Sequence, residues 1–266
     1  MIRLFDIAEE GLINISSSND FRKEEYKKKN YKVCKIEMIN GNKYRISKGK
    51  YYSLYFDDIK DEKTFNSISK ELVSLVGEMI DDRYNKILIV GIGNDDFAPD
   101  SLGPRVVKNI KATYHLSGEK ETKVACIIPG VMGVTGLESA SIVKGIINEN
   151  KIDCVIVIDS LATTSLERLN HVIQITDTGI KPGSGVSNYR KGINKEYLGS
   201  KVVSLGVGTV ISLEALINNF ASIKINKKFK DLVFTTKEIE LKIDLITDLL
   251  SSSLNHLLHQ SQKLTK

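Results

Sequence analysis

The sequence predicts an α/β fold, a mostly parallel sheet with helices on both faces, plus a small N-terminal β extension. Three observations predict it. Charge-free apolar runs recur at 87–92, 124–128 and 154–158, with the length and β-branched content of strands buried on both faces. Stretches with apolar residues three and four apart lie between them, as amphipathic helices require. Residues 1–60 are instead polar and rich in lysine and tyrosine, with short alternating segments.

In order, 32–38 and 51–56 read as strands of that extension, with the turn signal Asn40-Gly41-Asn42 between them. Helical spacing covers 65–80, and strand 86–92 follows. Asp100-Ser101 can start a helix running to about Tyr114. Strand 124–128 precedes a helix opened by Thr135 or Gly136 and ending near Asn148. Strands are expected at 154–158, 171–176 and 201–207, and helices at 213–220 and 237–259. Alternation of strands and helices implies the parallel sheet. The chain divides into an N-terminal extension over 1–60 and an α/β domain over 61–266.

Composition narrows the class. The 266 residues are 41% hydrophobic and 27% charged, a globular profile with enough chain for a sizeable core. No apolar run has the length of a membrane span, and the N-terminus turns acidic too early for a signal peptide. The three cysteines suggest no disulfide framework, so a reducing cytoplasm is expected. A net charge of +5, spread without aromatic interleaving, points to a solvated surface rather than a nucleic-acid groove. No membrane or direct nucleic-acid partner is expected.

Candidate chemistry rests on two acids. Asp100 follows strand 86–92 in Asn94-Asp-Asp-Phe-Ala-Pro-Asp100, and Asp159 follows strand 154–158 directly. Open α/β sheets place their sites at the carboxyl ends of strands, so both can face one crevice. Paired carboxylates can share a proton and activate water. Each alone also reads as a helix cap or a turn residue. Gly91-Ile-Gly93 lacks the third glycine of a dinucleotide fingerprint, Asp96 standing in its place, so a tight turn is expected there. The long glycine-rich loop 177–192 offers backbone amides with Ser184, Ser187, Asn188 and Arg190, which suit an extended peptide or an anion. His115, His171, His256 and His259 lack metal-ligand spacing, so no metal and no cofactor is expected. Glu138 and Glu167 read as helix-start or ion-pair residues.

These residues also carry a resemblance. Gly91-Ile-Gly-Asn94, Pro99-Asp-Ser-Leu-Gly-Pro104, Pro129-Gly-Val-Met-Gly-Val-Thr-Gly-Leu-Glu138, Ile158-Asp-Ser-Leu-Ala162, Ser165-Leu-Glu-Arg168, Gln174-Ile-Thr-Asp-Thr-Gly-Ile180, Pro182-Gly-Ser-Gly-Val186 and Lys237-Glu-Ile239 occur in order. The chain over about 84–260 thereby resembles the germination protease (spore protease) family. The resemblance implies a fold related to the hydrogenase-maturation peptidases and an atypical aspartic endopeptidase. Its substrates would be small acid-soluble spore proteins, degraded in the spore core during germination. The family's proposed catalytic aspartates fall on Asp100 and Asp159. The resemblance further implies a zymogen, a homo-oligomer (a tetramer) and no cofactor. Phe5-Asp-Ile-Ala-Glu-Glu10 looks like a family cleavage site, so the bond Asp6–Ile7 is the expected point of self-processing. The substrate's acidic residue before the cleaved bond needs a cation, for which Arg190, then Arg168, Lys181 and Lys191, are the candidates, with Ser184 and Asn188 as further substrate contacts. The chain departs from the family at Thr164, at Lys181-Pro182 and at Gly208-Thr-Val-Ile-Ser212, and is shorter. An inactive or regulatory spore-protein-binding homologue and a metal-dependent maturation peptidase are the alternatives.

Overall fold

The computed structural model describes residues 7–12, 18–44, 46–80, 84–116, 122–181, 191–221, 226–229 and 232–260. Among these, nine strands form one sheet. They are β1 (Phe21–Lys27), β2 (Tyr31–Met38), β3 (Gly49–Phe56), β4 (Lys86–Gly91), β5 (Lys123–Ile127), β6 (Cys154–Thr163), β7 (Val172–Thr176), β8 (Lys201–Ser212) and β9 (Val233–Phe234). The helices are α1 (Glu62–Gly77), α2 (Leu102–Lys108), α3 (Met132–Thr135), α4 (Ser139–Asn150), α5 (Lys195–Leu198), α6 (Leu213–Asn218) and α7 (Ile239–Gln260).

The sheet order is β1-β2-β3-β7-β8-β6-β4-β5, with β9 on β8. Parallel pairing joins β8, β6, β4 and β5. The rest of the sheet is antiparallel, because β7 reverses against β8 and then accepts β3. The N-terminal strands therefore continue the central sheet through β3 and β7. Parallel pairing is confined to the half built from helical crossovers, which such pairing requires.

Side chains alternate between two cores. Ile87, Ile89, Ile156, Ile158, Val203 and Leu205 face α1, α2 and α7. Leu88, Val90, Val155, Val157 and Val202 face α4 and α5 on the opposite side. Helix α1 starts where Asp61 accepts a hydrogen bond from Thr64 N, and buries Ile68, Leu72, Leu75 and Val76 along one stripe. Tyr26 and Tyr31 both donate to Glu71 of that helix, which ties the first hairpin to it.

Several boundaries differ from the sequence expectation. Helix α2 stops at Lys108 rather than near Tyr114, because the Thr113 and Tyr114 amides donate to Val124 O at the start of β5. The helix expected from Thr135 begins at Ser139. Gly136 adopts φ +72°, which closes the single turn of α3 first. Strands β6 and β8 outrun their apolar runs and keep pairing up to Thr163 and Ile211.

On β1, Glu25 accepts from Lys23 at 2.6 Å and from Lys32 at 2.8 Å. The Lys23 hydrogen bond, then that of Lys32, holds its carboxyl at about 2, down from 4.5. A depressed carboxyl adds stability that is present above its unfolded pKa and lost as pH falls through the folded one. The pair is partly exposed, so its worth is roughly 0.2–1 kcal/mol. The Glu25 carboxyl is expected to titrate near pH 2 by carbon NMR, and Glu25→Gln to flatten the stability curve between pH 4.5 and 2. A midpoint near 4.5 in the folded protein would contradict this.

Candidate active site

The strand order decides where a site can form. After β4 the chain crosses over α2 to β5 on one side, then returns over α4 to β6 on the other side of β4. The two helices lie on opposite faces of the sheet. The carboxyl ends of β4 and β6 are thus a topological switch point, where open α/β sheets leave a crevice. Asp100 and Asp159 both belong to this point.

Asp159 lies within β6 rather than after it. It sits one residue past Ile158, which pairs with Gly91 at the end of β4. Beyond Gly91, β4 leaves the ladder while β6 stays paired to β8, with Asp159 opposite Gly206. The residue is 6% exposed, and its Oδ1 accepts from Ser160 N at 2.9 Å.

Asp100 ends the 3-10 turn Ala98–Asp100 and does not cap α2. Ser101 holds the cap position, and its hydroxyl donates to Ala98 O at 2.9 Å instead of capping the helix. The Asp100 side chain turns back instead, its Oδ2 accepting from Asn94 N at 2.9 Å. Gly93 makes this return possible. It has φ +129°, and a methyl group there would meet Asp100 O at 1.9 Å. Gly103 seats the first turn of α2 on the two strand ends. A methyl group on it would lie 2.3 Å from Ile92 O and 2.6 Å from Ile158 O. The glycines that resemble part of a nucleotide fingerprint therefore bring backbone segments together.

The other candidates are placed as follows. Arg168 donates through Nε to the Tyr55 hydroxyl at 3.2 Å, and its guanidinium lies 3.9 Å from Glu9. Its side chain is 13% exposed. Burial works against its charge, but Tyr55, Glu9 and Glu10 outweigh that and hold its pKa above the usual value. Ile7 is fully buried. Lys191 is 3.7 Å from Glu138, and Lys181 is exposed. Arg190, Ser184, Asn188 and Asp6 lie outside the described residues. Glu9 and Tyr55 contact Arg168, Glu10 accepts from Thr163 on β6, and Gln174 accepts from Ala8 N, contacts that sequence reasoning missed. Only Glu9 and Glu10 carried a local signal, as part of the segment singled out at Asp6–Ile7.

Among the described residues, potential metal ligands grouped within 4.8 Å of one another are Glu9, Glu25 and Cys34. Lys23 and Lys32 pair with Glu25, and burial pushes the Cys34 thiol up, away from the thiolate a metal binds. Among the described residues no helix is long and apolar enough to cross a membrane.

Comparison with known proteins adds the family. A family model described as germination protease matches residues 7–229. A germination protease of Geobacillus sp. (strain WCH70) is 38% identical over 203 residues, covering 71% of this chain and 55% of that protein. That of Oceanobacillus iheyensis is 39% identical over 204 residues, 70% of this chain and 56% of that protein. One from Caldanaerobacter subterraneus subsp. tengcongensis reaches 45% over 152 residues, 54% and 47% respectively. The chain spans about half the length of these relatives. Among solved structures, a [NiFe] hydrogenase maturation protease HycI from Thermococcus kodakarensis KOD1 aligns at TM-score 0.40 with 19% identity, over 68% of this chain and 98% of that one.

Proposed function

Since the chain belongs to the germination protease family, we propose that it is an endopeptidase that degrades small acid-soluble spore proteins in the spore core during germination. The observation that carries the reading is the convergence of Asp100 and Asp159 on the switch point between β4 and β6. In this mechanism the two carboxyl groups hold one water. The ionised aspartate takes a proton from the water as its oxygen attacks the scissile carbonyl. The protonated one hydrogen-bonds the carbonyl oxygen, then passes its proton to the leaving nitrogen as the C–N bond breaks. Bond making and proton transfer balance without a cofactor.

Residues 1–60 are assigned as an extension containing a pro-segment, and the bond Asp6–Ile7 as its processing point. Arg190 and Arg168, with Ser184 and Asn188, are assigned to substrate binding. A homo-oligomer completes the reading.

Incubation of the purified chain with a small acid-soluble spore protein tests it, with discrete fragments expected by mass spectrometry. Binding without cleavage would identify a regulatory homologue instead. EDTA is expected to leave the rate unchanged, because the mechanism assigns proton transfer to carboxyl groups rather than to a metal-bound water. Loss of cleavage in EDTA, restored by zinc, would replace it with metal-dependent hydrolysis.

A further inference from the structure

The 3-10 segment Ala8–Leu12 has no part in the chemistry above, yet it carries two buried carboxylates. Glu9 is 8% exposed and Glu10 is 4% exposed. Buried acids are costly unless fully partnered. Here they are partnered in detail. Glu10 accepts from Thr163 Oγ1 at 2.5 Å and from Thr164 N at 2.9 Å. Glu9 accepts from the Tyr55 hydroxyl and lies beside Arg168. Ala8 N donates to Gln174 Oε1 at 2.6 Å. Ile7 fills an apolar pocket of Leu161, Val172 and Tyr55.

This segment lies on the face of the sheet that carries Asp159. Gln174 is opposite Gly206 on β8, and Gly206 is opposite Asp159 on β6. Residues directly opposite in a sheet project to the same face, so Gln174 and Asp159 share one row, roughly 10 Å apart at two strand spacings. Gly206, between them, has no side chain of its own. Contacts with β6 begin at Leu161, two positions from Asp159, through Ile7, and move outward to Thr163 through Glu10. The amino end of the segment is therefore the end nearer the catalytic aspartate.

The strip offers an acceptor for one backbone amide, a pocket for one apolar side chain, and donors for two successive carboxylates. Those are the elements of peptide recognition. We propose that this strip is the subsite for the substrate segment on the carboxyl side of the cleaved bond. Its ligand is a peptide with the order apolar, small, acidic, acidic, and the chain's own residues 7–10 occupy it as an internal ligand. The proposal rests on the protease reading and locates where its substrate lies. Substrate must then displace residues 7–10 to bind.

The test uses the full chain and the peptide Ile-Ala-Glu-Glu-Gly-Leu, labelled at its carboxyl end and free at its amino end. The double variant Ile7→Asn with Glu10→Gln weakens the internal ligand, and fluorescence anisotropy is expected to show at least about tenfold tighter binding than wild type. Adding Gln174→Ala is expected to remove about tenfold of that. A scrambled peptide of the same composition should bind no better to the variant than to wild type. Equal binding by both proteins, or equal binding of both peptides, overturns the proposal. Wild type gives a second readout independent of the variant's folding. Excess peptide should speed hydrogen exchange at Ala8 and Glu10, and unchanged exchange at millimolar peptide also overturns the proposal. Assaying the double variant, with Asp159 intact, against a small acid-soluble spore protein separates the two readings. Peptide binding that persists in a chain that cuts nothing sinks the protease alone, whereas cleavage without peptide binding sinks the subsite alone.

Discussion

Asp159→Asn is expected to abolish cleavage of a spore-protein substrate while leaving the fold intact. Asparagine keeps an oxygen that can accept from Ser160 N, so that hydrogen bond survives the exchange. It loses the group that exchanges a proton. Removing an acid–base residue costs roughly 10²–10⁴-fold in rate. Asp100→Asn should fall by a similar factor, since its amide oxygen can replace Oδ2 as acceptor for Asn94 N. Initial rates with far-UV circular dichroism and a thermal midpoint for each variant check this. A folded variant at either position that cuts within about tenfold of wild type would remove the aspartate pair as the mechanism.

Gly103→Ala should be among the most damaging single-methyl changes in the chain. Its methyl would lie 2.3 Å from Ile92 O and 2.6 Å from Ile158 O, both backbone atoms that no rotamer change can move. Ile92 N also donates to Ile158 O, so the clash falls on the joint between β4 and β6. Overpacking of this kind costs roughly 1–3 kcal/mol, and more where backbone must yield. At the upper end, a domain of this size should lose roughly 6–12 °C of thermal midpoint. Activity should fall further than stability explains, because α2 and Asp100 move with the strand ends. Gly145→Ala is the control. It lies in α4 with open space around the new methyl, so a gain of about 1 kcal/mol is expected. If both variants melt at the wild-type temperature, the close approach at Gly103 does not hold the switch point together.

The central strands were legible because each is a charge-free run between polar segments. Strands buried on both faces carry their burial in local composition. Asp100 and Asp159 were legible for the same reason, as acids next to such runs. Where local signals compete, composition does not place an element's end. The pattern past Lys108 remained compatible with a helix, but the amides of Thr113 and Tyr114 were taken by Val124 O. Local composition ends β6 at Ile158, because polar Asp159, Ser160 and Thr163 hide a ladder that only pairing with β8 maintains.

By itself, then, the sequence determined that apolar strands alternate with helices, that an aspartate follows each of two apolar runs, and that its motifs resemble one family. Only the tertiary structure decided that β6 lies between β4 and β8, which sets the carboxyl ends of β4 and β6 side by side. It also decided that the hairpin strands join the same sheet through β7, and that Ala8 meets Gln174 across 166 positions. The physical reason is range. Periodicity and composition report how each segment is buried. Which strand pairs with which, and which buried carboxylate finds which donor, depends on contacts between distant residues that form only when the whole sheet assembles.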